Sequence, residues 1–370
     1  MLRTIALALA LLLGVGSPAS AEILLGAAAT LSGPLALTGR ANQKAIETAV
    51  ADINAAGGLG GQQVRLITAD DGCDPAAATE TAQSLVDQRV VAVIGHLCSH
   101  ASLIGAGVYE GVGIPMITSE STHPRLTEEG RANVFRLIGR DDAQGRLAGR
   151  YLAHQWAGRR IAILHDASTY GEDLAMATRQ ELRRWGEHDV LYTPYTAEDG
   201  GLERTLQLLR DADVEVAYLA AYGPSAARVV TDAAKTGAGI RFLGGDGVAM
   251  DEFWSASGPA GNGVIFSSRP DPYGTPAAKA LADRLTVDGR APSASAAASY
   301  AAVQVWAEAV RRAGTAAPRP VIGALHRGTF DSVVGQVRFD PKGDLQGAAW
   351  EWRMWRDGRQ QRLPAELAAQ

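Results

Sequence analysis

His96, Cys98 and His100 alternate along one stretch of the chain, a spacing that could turn several soft donors toward one metal ion. A fourth donor is missing, and Cys98 has a single possible partner, Cys73, because the chain holds only two cysteines. A disulfide sulfur is not a thiolate ligand, so no metal is implied. Nucleophilic catalysis has no better candidate. No Gly-x-Ser-x-Gly elbow or Ser-x-x-Lys pattern occurs, and an enzyme is not expected. Gly105-Ala106-Gly107 lacks the third glycine and the following acidic residue of a dinucleotide fingerprint, and no Gly-x-x-x-x-Gly-Lys loop exists, so no cofactor is implied. What remains is binding chemistry. Ser99 directly follows an apolar run and can open a helix, where free N–H groups and the helix dipole favour an anion. Asp246 sits in a turn between Gly245 and Gly247. Their bland alternatives are an ordinary helix cap and a turn Asp bonded to its own backbone.

The N-terminus gives the compartment. Arg3, the apolar run Ile5 to Val15 and the small residues Ala19-Ser20-Ala21 form a signal-peptide pattern, so residues 1–21 are expected to be cleaved and the chain to begin at Glu22. The apolar run is far shorter than the roughly 20 residues a bilayer core requires, and no Cys follows it to carry a lipid. No stable membrane insertion is expected. An exported chain meets an oxidising compartment, so a Cys73–Cys98 disulfide is expected over two free thiols. Net charge is −5 with both signs mixed along the chain, which offers no footprint for nucleic acid or an anionic membrane surface.

Short apolar runs alternate with amphipathic stretches. Ile23 to Ala29, Gln63 to Thr68, Val90 to Gly95, Ile114 to Thr118, Arg160 to His165, Val214 to Ala220, Arg241 to Gly244 and Gly263 to Ser267 read as buried strands. Ile46, Ala49, Val50 and Ile53 repeat with helical period, and Gly57-Gly58 ends that helix. Leu202 to Asp211, Ala226 to Thr236 and Tyr300 to Ala313 supply more helices, while Ala291 to Ala302 is an alanine-rich patch. Length and repeated strand-helix units predict an α/β protein with two cores. In parallel sheets ligands bind beyond the carboxyl ends of strands, so the segments after each run matter most.

Several of those segments occur together in a known pattern. Leu31-Ser32-Gly33-Pro34, Ala49 to Gly58, Asp70-Asp71-Gly72-Cys73-Asp74-Pro75 and Gly95-His96-Leu97-Cys98-Ser99 resemble the branched-chain amino-acid-binding proteins of bacterial ABC transporters. His165-Asp166 with Tyr170-Gly171-Glu172, Tyr222, Gly245 to Ala249 and Phe339 to Asp344 continue the resemblance over essentially the whole mature chain. It implies the type I periplasmic-binding-protein fold: two Rossmann-like α/β lobes joined by three crossing strands, closing on one ligand. The lobes would comprise residues 22–140 plus 269–347 and residues 141–268 plus 348–370. The implied function is capture of an amino acid or amino-acid-like solute in the periplasm by a monomer, for delivery to an ABC transporter permease. A sensor of the same fold, docking on a receptor or regulator, is the alternative.

The resemblance also assigns a site. Ser99 and Thr122 would hold the ligand's carboxylate, Asp246 its ammonium, and Tyr170 and Tyr222 would close from the second lobe. Three positions depart from the family pattern. Thr38 replaces a usual aromatic wall, the position near Ser295 is small and polar, and Glu120 stands where a small residue presents a backbone carbonyl. Glu120 has three readings: facing a cationic or amide-bearing ligand, pairing with His100 or His123, or turning outward. Thr38 and Glu120 predict a polar or basic ligand in preference to leucine.

Overall fold

The computed structural model describes residues 22–196, 200–286 and 291–364; the expected leader, Met1 to Ala21, and the tail beyond residue 364 lie outside them. β1 (Ile23–Ala29), β2 (Val64–Asp70), β3 (Ala92–Ile94), β4 (Met116–Thr118) and β5 (Val134–Arg136) form a parallel sheet in the order β2-β1-β3-β4-β5. α1 (Ala36–Ala55), α2 (Pro75–Asp87), α3 (Ser99–Val112) and the short α4 (Arg125–Glu128) connect them. The chain then crosses into a second lobe. There α5 (Asp141–Gln155), β6 (Ile161–His165), α6 (Thr169–Arg184), β7 (Asp189–Pro194), α7 (Gly201–Asp211), β8 (Val216–Ala220), α8 (Gly223–Thr236), β9 (Arg241–Gly244), α9 (Asp251–Ser257) and β10 (Ile265–Ser268) repeat the same grammar. After β10 the chain returns to the first lobe as α10 (Pro276–Leu285), α11 (Ala294–Ala313), α12 (Pro318–Arg327) and the hairpin β11 (Thr329–Ser332) and β12 (Gly335–Arg338). It crosses once more to add β13 (Glu351–Arg356) and β14 (Arg359–Arg362) antiparallel at the edge of the second sheet, ordered β14-β13-β10-β9-β8-β6-β7.

Local sequence explains the ends of these elements. Ile46, Ala49, Val50 and Ile53 face the first core from α1, and Gly57 and Gly58, at φ 97° and 79°, terminate it in the left-handed region that glycine adopts without strain. Asp74 caps α2 by accepting from the Ala77 N–H, with Pro75 at the first helical position. The alanine-rich patch is no low-complexity linker. It forms the first half of α11, where Ala296, Ala297, Ala298, Ala301 and Ala302 are buried and their small side chains let α11 pack closely on α1 and the sheet.

Each sheet is covered on both faces. In the second lobe Trp352 and Trp355, three residues apart on β13, point to opposite faces and join the two separate cores there. The first lobe's main core gathers β1, α1, α11 and the β11–β12 hairpin through Ile46, Trp306, Phe330 and Phe339. The two lobes therefore present the carboxyl ends of their strands to each other.

Candidate ligand-binding site

The first lobe's wall is built around the end of β3. Cys98 is the residue preceding α3, and its bond to Cys73, with Cα atoms 5.6 Å apart, ties that helix start to the loop after β2. The carboxylates of that loop are spent on structure. Asp70 accepts from the Leu31 and Gly72 N–H groups at 2.7 and 2.9 Å. Asp71 accepts from Thr30 Oγ1 at 2.8 Å and lies 2.7 Å from His96 Nδ1. Burial pushes the Asp71 carboxyl up, but His96 and the other donors outweigh it and hold it below the usual range. His96 Nε2 meets Tyr109 Oη at 3.0 Å, and His100 Nε2 meets the Cys73 carbonyl at 3.0 Å. The alternating His-Cys-His triplet is thus directed to separate partners rather than to one point.

Ser99 is the first residue of α3, so the bland reading of a capping Ser does not hold: the cap position belongs to Cys98. Thr122, fully buried, follows β4 in a loop that Arg136 braces by donating to the Ser121 and His123 carbonyls at 3.2 and 3.0 Å. Arg136 in turn pairs with Asp344 at 2.6 Å, which gives the Phe339 to Asp344 segment its role: it positions the Thr122 loop from behind.

The second lobe's wall follows β6, β8 and β9. Asp246 opens a single 3₁₀ turn after β9, and Tyr170 Oη donates to its Oδ1 at 2.7 Å while accepting from the Gly247 N–H at 3.0 Å. A Cβ on Gly247 would stand 2.3 Å from the Ala221 carbonyl, so only glycine lets this turn lie so close to β8. Tyr170 is 3% exposed and packs in the lobe's core, so it orients Asp246 rather than lining open space. Tyr222 precedes α8, is fixed by its N–H to Asp166 Oδ2 at 2.9 Å, and lies tilted at 34° against Tyr170 with ring centroids 4.9 Å apart.

The two walls touch directly. Tyr222 Oη accepts from the Ser99 N–H at 3.3 Å, so the free N–H at the start of α3 meets a polar oxygen from the other lobe. Thr38 donates through its N–H and Oγ1 to the two carboxylate oxygens of Glu252 on α9, at 2.7 and 2.6 Å. His123 Nε2 lies 2.8 Å from Asp173, while His123 Nδ1 accepts from the Arg125 N–H, which leaves Nε2 as the donor. Glu120 Oε1 lies 2.7 Å from Arg269 Nη2, which also donates to the Ser119 carbonyl at 2.6 Å. Glu120 therefore pairs with neither His100 nor His123 and does not turn outward, since Arg269 at the crossing after β10 lies nearer than either histidine. Thr38, Glu120 and Asp246 line one cavity of about 40 Å³, with room for about three waters. Of the seven expected positions, Thr38, Ser99 and Tyr222 make contacts between the lobes, Thr122 accepts from the Asp141 N–H at the first crossing, Thr38, Glu120 and Asp246 line that cavity, and Tyr170 stands behind Asp246 in the second lobe's core.

Buried acids dominate the electrostatics. Burial pushes the Asp246 carboxyl up, partly opposed by the Tyr170 hydrogen bond, the nearby Gln144 and Arg269. Burial and the negative charge of Asp246 push Asp141 up strongly. Neither Asp141 oxygen makes a hydrogen bond among the described residues, the Thr122 hydroxyl lying near but outside bonding geometry. Burial pushes the Glu120 carboxyl up, and Arg269 and Ser295 offset that only in part. Such a site attracts a cationic group that would let its carboxyls ionise.

Asp141, Gln144, Glu252, Arg269 and Arg136 were not found from sequence. For Arg269 a signal existed, because it directly follows the buried strand Ile265–Ser268 and so stands at a strand's carboxyl end. Glu252 gave none, because its partner Thr38 is 214 residues away. Losing that doubly bonded contact should matter to closure. Glu252→Ala is expected to raise the radius of gyration of the ligand-free chain in small-angle scattering and to weaken ligand capture about tenfold, since hydrogen bonds to a charged group contribute about 1.5–3 kcal/mol. An unchanged radius and affinity would count against Glu252 as a latch.

Two Rossmann-like lobes joined by three crossings and meeting at a polar cleft define a two-lobed solute-binding protein of the type I periplasmic-binding-protein fold. The family model described as periplasmic binding protein matches residues 22–354. The chain is 35% identical over 364 residues to an amino acid binding protein of Pseudomonas aeruginosa, covering 97% of each. It is 34% identical over 356 residues to Leu/Ile/Val-binding protein homolog 1 of Brucella suis, covering 95% of this chain and 96% of that one. Among solved structures, the branched-chain amino acid transporter substrate binding protein LivJ from Streptococcus pneumoniae, in complex with isoleucine, superposes with a TM-score of 0.83 at 25% identity, covering 92% of this chain and 98% of that one. The chain belongs to the periplasmic binding protein family. Its members are solute-binding proteins of the periplasm, so this chain is a binding protein and not an enzyme. No helix among the described residues is long and apolar enough to cross a membrane.

Proposed function

We propose that this chain is the substrate-binding protein of an ABC transporter, exported by cleavage after Ala21, which captures an α-amino acid by lobe closure and delivers it to a membrane permease. The observation that carries the reading is Asp246: a carboxylate in the wall of the cleft, oriented by Tyr170, its charge disfavoured by burial until a cation arrives. Ser99 and Thr122 on the facing lobe would take the ligand's carboxylate, with Tyr222 yielding the Ser99 N–H on opening. The lobes would comprise residues 22–140 plus 269–347 and residues 141–268 plus 348–370, and because both walls come from one chain, a monomer suffices.

The test is calorimetric titration of the exported chain with a panel of α-amino acids, read at two pH values. Because folded Asp246 is raised, a ligand ammonium must displace a proton or pull the pKa back, so affinity rises with pH and falls on acidification. Asp141 and Glu120, also raised, act in the same direction, while Arg269 opposes the shift in Asp246 and Glu120. The limit is about tenfold per pH unit for each proton released. Affinity at pH 5 should be weaker than at pH 7.5. Binding that strengthens on acidification, or no binding of any α-amino acid, would refute the reading.

A further inference from the structure

The side chain of the ligand has its own chemistry in this cleft. Arg269 is 14% exposed at its side chain, and its Nη2 donates to Glu120 and Ser119. Its Nη1 is buried and, among the described residues, meets no acceptor. A guanidinium carries five N–H groups in a fixed plane, so a buried edge without an acceptor is a standing demand for an oxygen. Glu120, beside it, is a carboxylate whose side chain is 10% exposed. Both line the cavity that Asp246 lines. Of the neighbouring hydroxyls, Thr38 Oγ1 donates to Glu252, and Ser295 Oγ donates to Asn42 Oδ1 at 2.7 Å while also lying close enough to Glu120 to lower its carboxyl.

We propose that Arg269 and Glu120 form a donor–acceptor subsite for a primary carboxamide, so that the captured amino acid carries an amide-ended side chain rather than a branched aliphatic one. The inference rests on the proposed function and names the class of ligand that site takes. A carboxamide has an acceptor and two donors on one carbon: its carbonyl answers Arg269 Nη1 and its NH₂ answers the Glu120 carboxylate. A side-chain carboxylate offers acceptors only and brings a third negative charge beside Glu120 and Asp246. A basic side chain offers donors only and meets Arg269. An aliphatic one leaves the buried donor and acceptor unanswered, the case that polar sites reject most strongly.

Titration calorimetry of the exported chain with glutamine, asparagine, leucine, glutamate and lysine tests this. Glutamine or asparagine should bind at least tenfold more tightly than the other three. The double variant Glu120→Leu with Arg269→Met, which replaces both charges by apolar groups, should lose at least tenfold in carboxamide affinity and hold or gain affinity for leucine. Arg269→Lys, which keeps the charge facing Glu120 but loses the second planar donor, should lose affinity for the carboxamide and not for leucine, and it stands in if the double variant does not fold. Leucine bound as tightly as glutamine and asparagine by the unaltered chain, or a carboxamide preference unchanged in Arg269→Lys, would overturn the inference while leaving amino acid capture intact. Absence of binding by every α-amino acid would overturn both.

Discussion

Asp246→Ala is expected to weaken amino acid capture tenfold to roughly a hundredfold while leaving the ligand-free chain as stable as before, or more so. The first half follows from the loss of a charged acceptor for the ammonium: hydrogen bonds to charged groups contribute about 1.5–3 kcal/mol, and each 1.4 kcal/mol is a factor of ten. The second half follows from the direction of the Asp246 shift. Burial raises its carboxyl, which means the folded protein disfavours the charge, and that cost disappears with the side chain. Tyr170 would lose its acceptor but still receive the Gly247 N–H, so the wall keeps one of its two bonds. Calorimetric titration and a thermal melt of the same samples separate the two effects. Affinity unchanged in Asp246→Ala would remove Asp246 from the site, and a melt depressed by several degrees would reassign it to holding the fold.

The second large effect concerns the disulfide. Cys73 and Cys98 are separated by 25 positions, and on the chain-entropy model closing such a loop stabilises the fold by roughly 3.5 kcal/mol. The double replacement Cys73→Ser with Cys98→Ser should therefore lower the melting temperature by about 7–14 °C, at roughly 2–4 °C per kcal/mol for a domain of 150–250 residues. The loss should not be confined to stability. Cys98 is fully buried among Leu35, Leu97 and Ala101 and immediately precedes Ser99, so loosening it frees the start of α3 and with it the N–H expected to hold the ligand's carboxylate. Binding should weaken in the double variant even at temperatures where it remains folded. A melting shift of a degree or two, with affinity intact, would show that local packing alone fixes this loop.

Local sequence made much of this protein legible. Strand periodicity located β1 and β9 to the residue, and the remaining expected strands within two residues at either end. β5 and β7 were missed for different reasons. β5 ends on a charged residue, Arg136, which breaks its apolar run although it is buried, and β7 is a half-exposed edge strand whose apolar run, Val190-Leu191-Tyr192, is only three residues long. β13 was missed because Glu351, Arg353 and Arg356 interrupt its apolar residues, and β14 because Arg359-Gln360-Gln361-Arg362 has none; only pairing with β10 buries Trp352 and Trp355 on opposite faces. Seven site positions could be named because each lies within or beside a short motif at a strand's end.

By itself, the sequence determined what depends on neighbours along the chain: the α/β alternation, the helix ends at Gly57-Gly58 and Asp74-Pro75, the expected leader, the availability of just two cysteines, and the positions expected to face a ligand where strands end. Tertiary structure alone decided which partners those positions meet. The pairing of Glu120 with Arg269, the closure of Thr38 on Glu252, the brace from Asp344 through Arg136 to the Thr122 loop, and the orientation of Asp246 by Tyr170 all join residues far apart in sequence. The physical reason is that strand and helix preferences are short-ranged, whereas buried charges and hydrogen bonds take whichever partner the packing of two lobes brings within about 3 Å. A carboxylate such as Glu120 could be recognised as out of place from the chain alone, but whether it was answered by histidine, solvent or arginine was set only when the lobes came together.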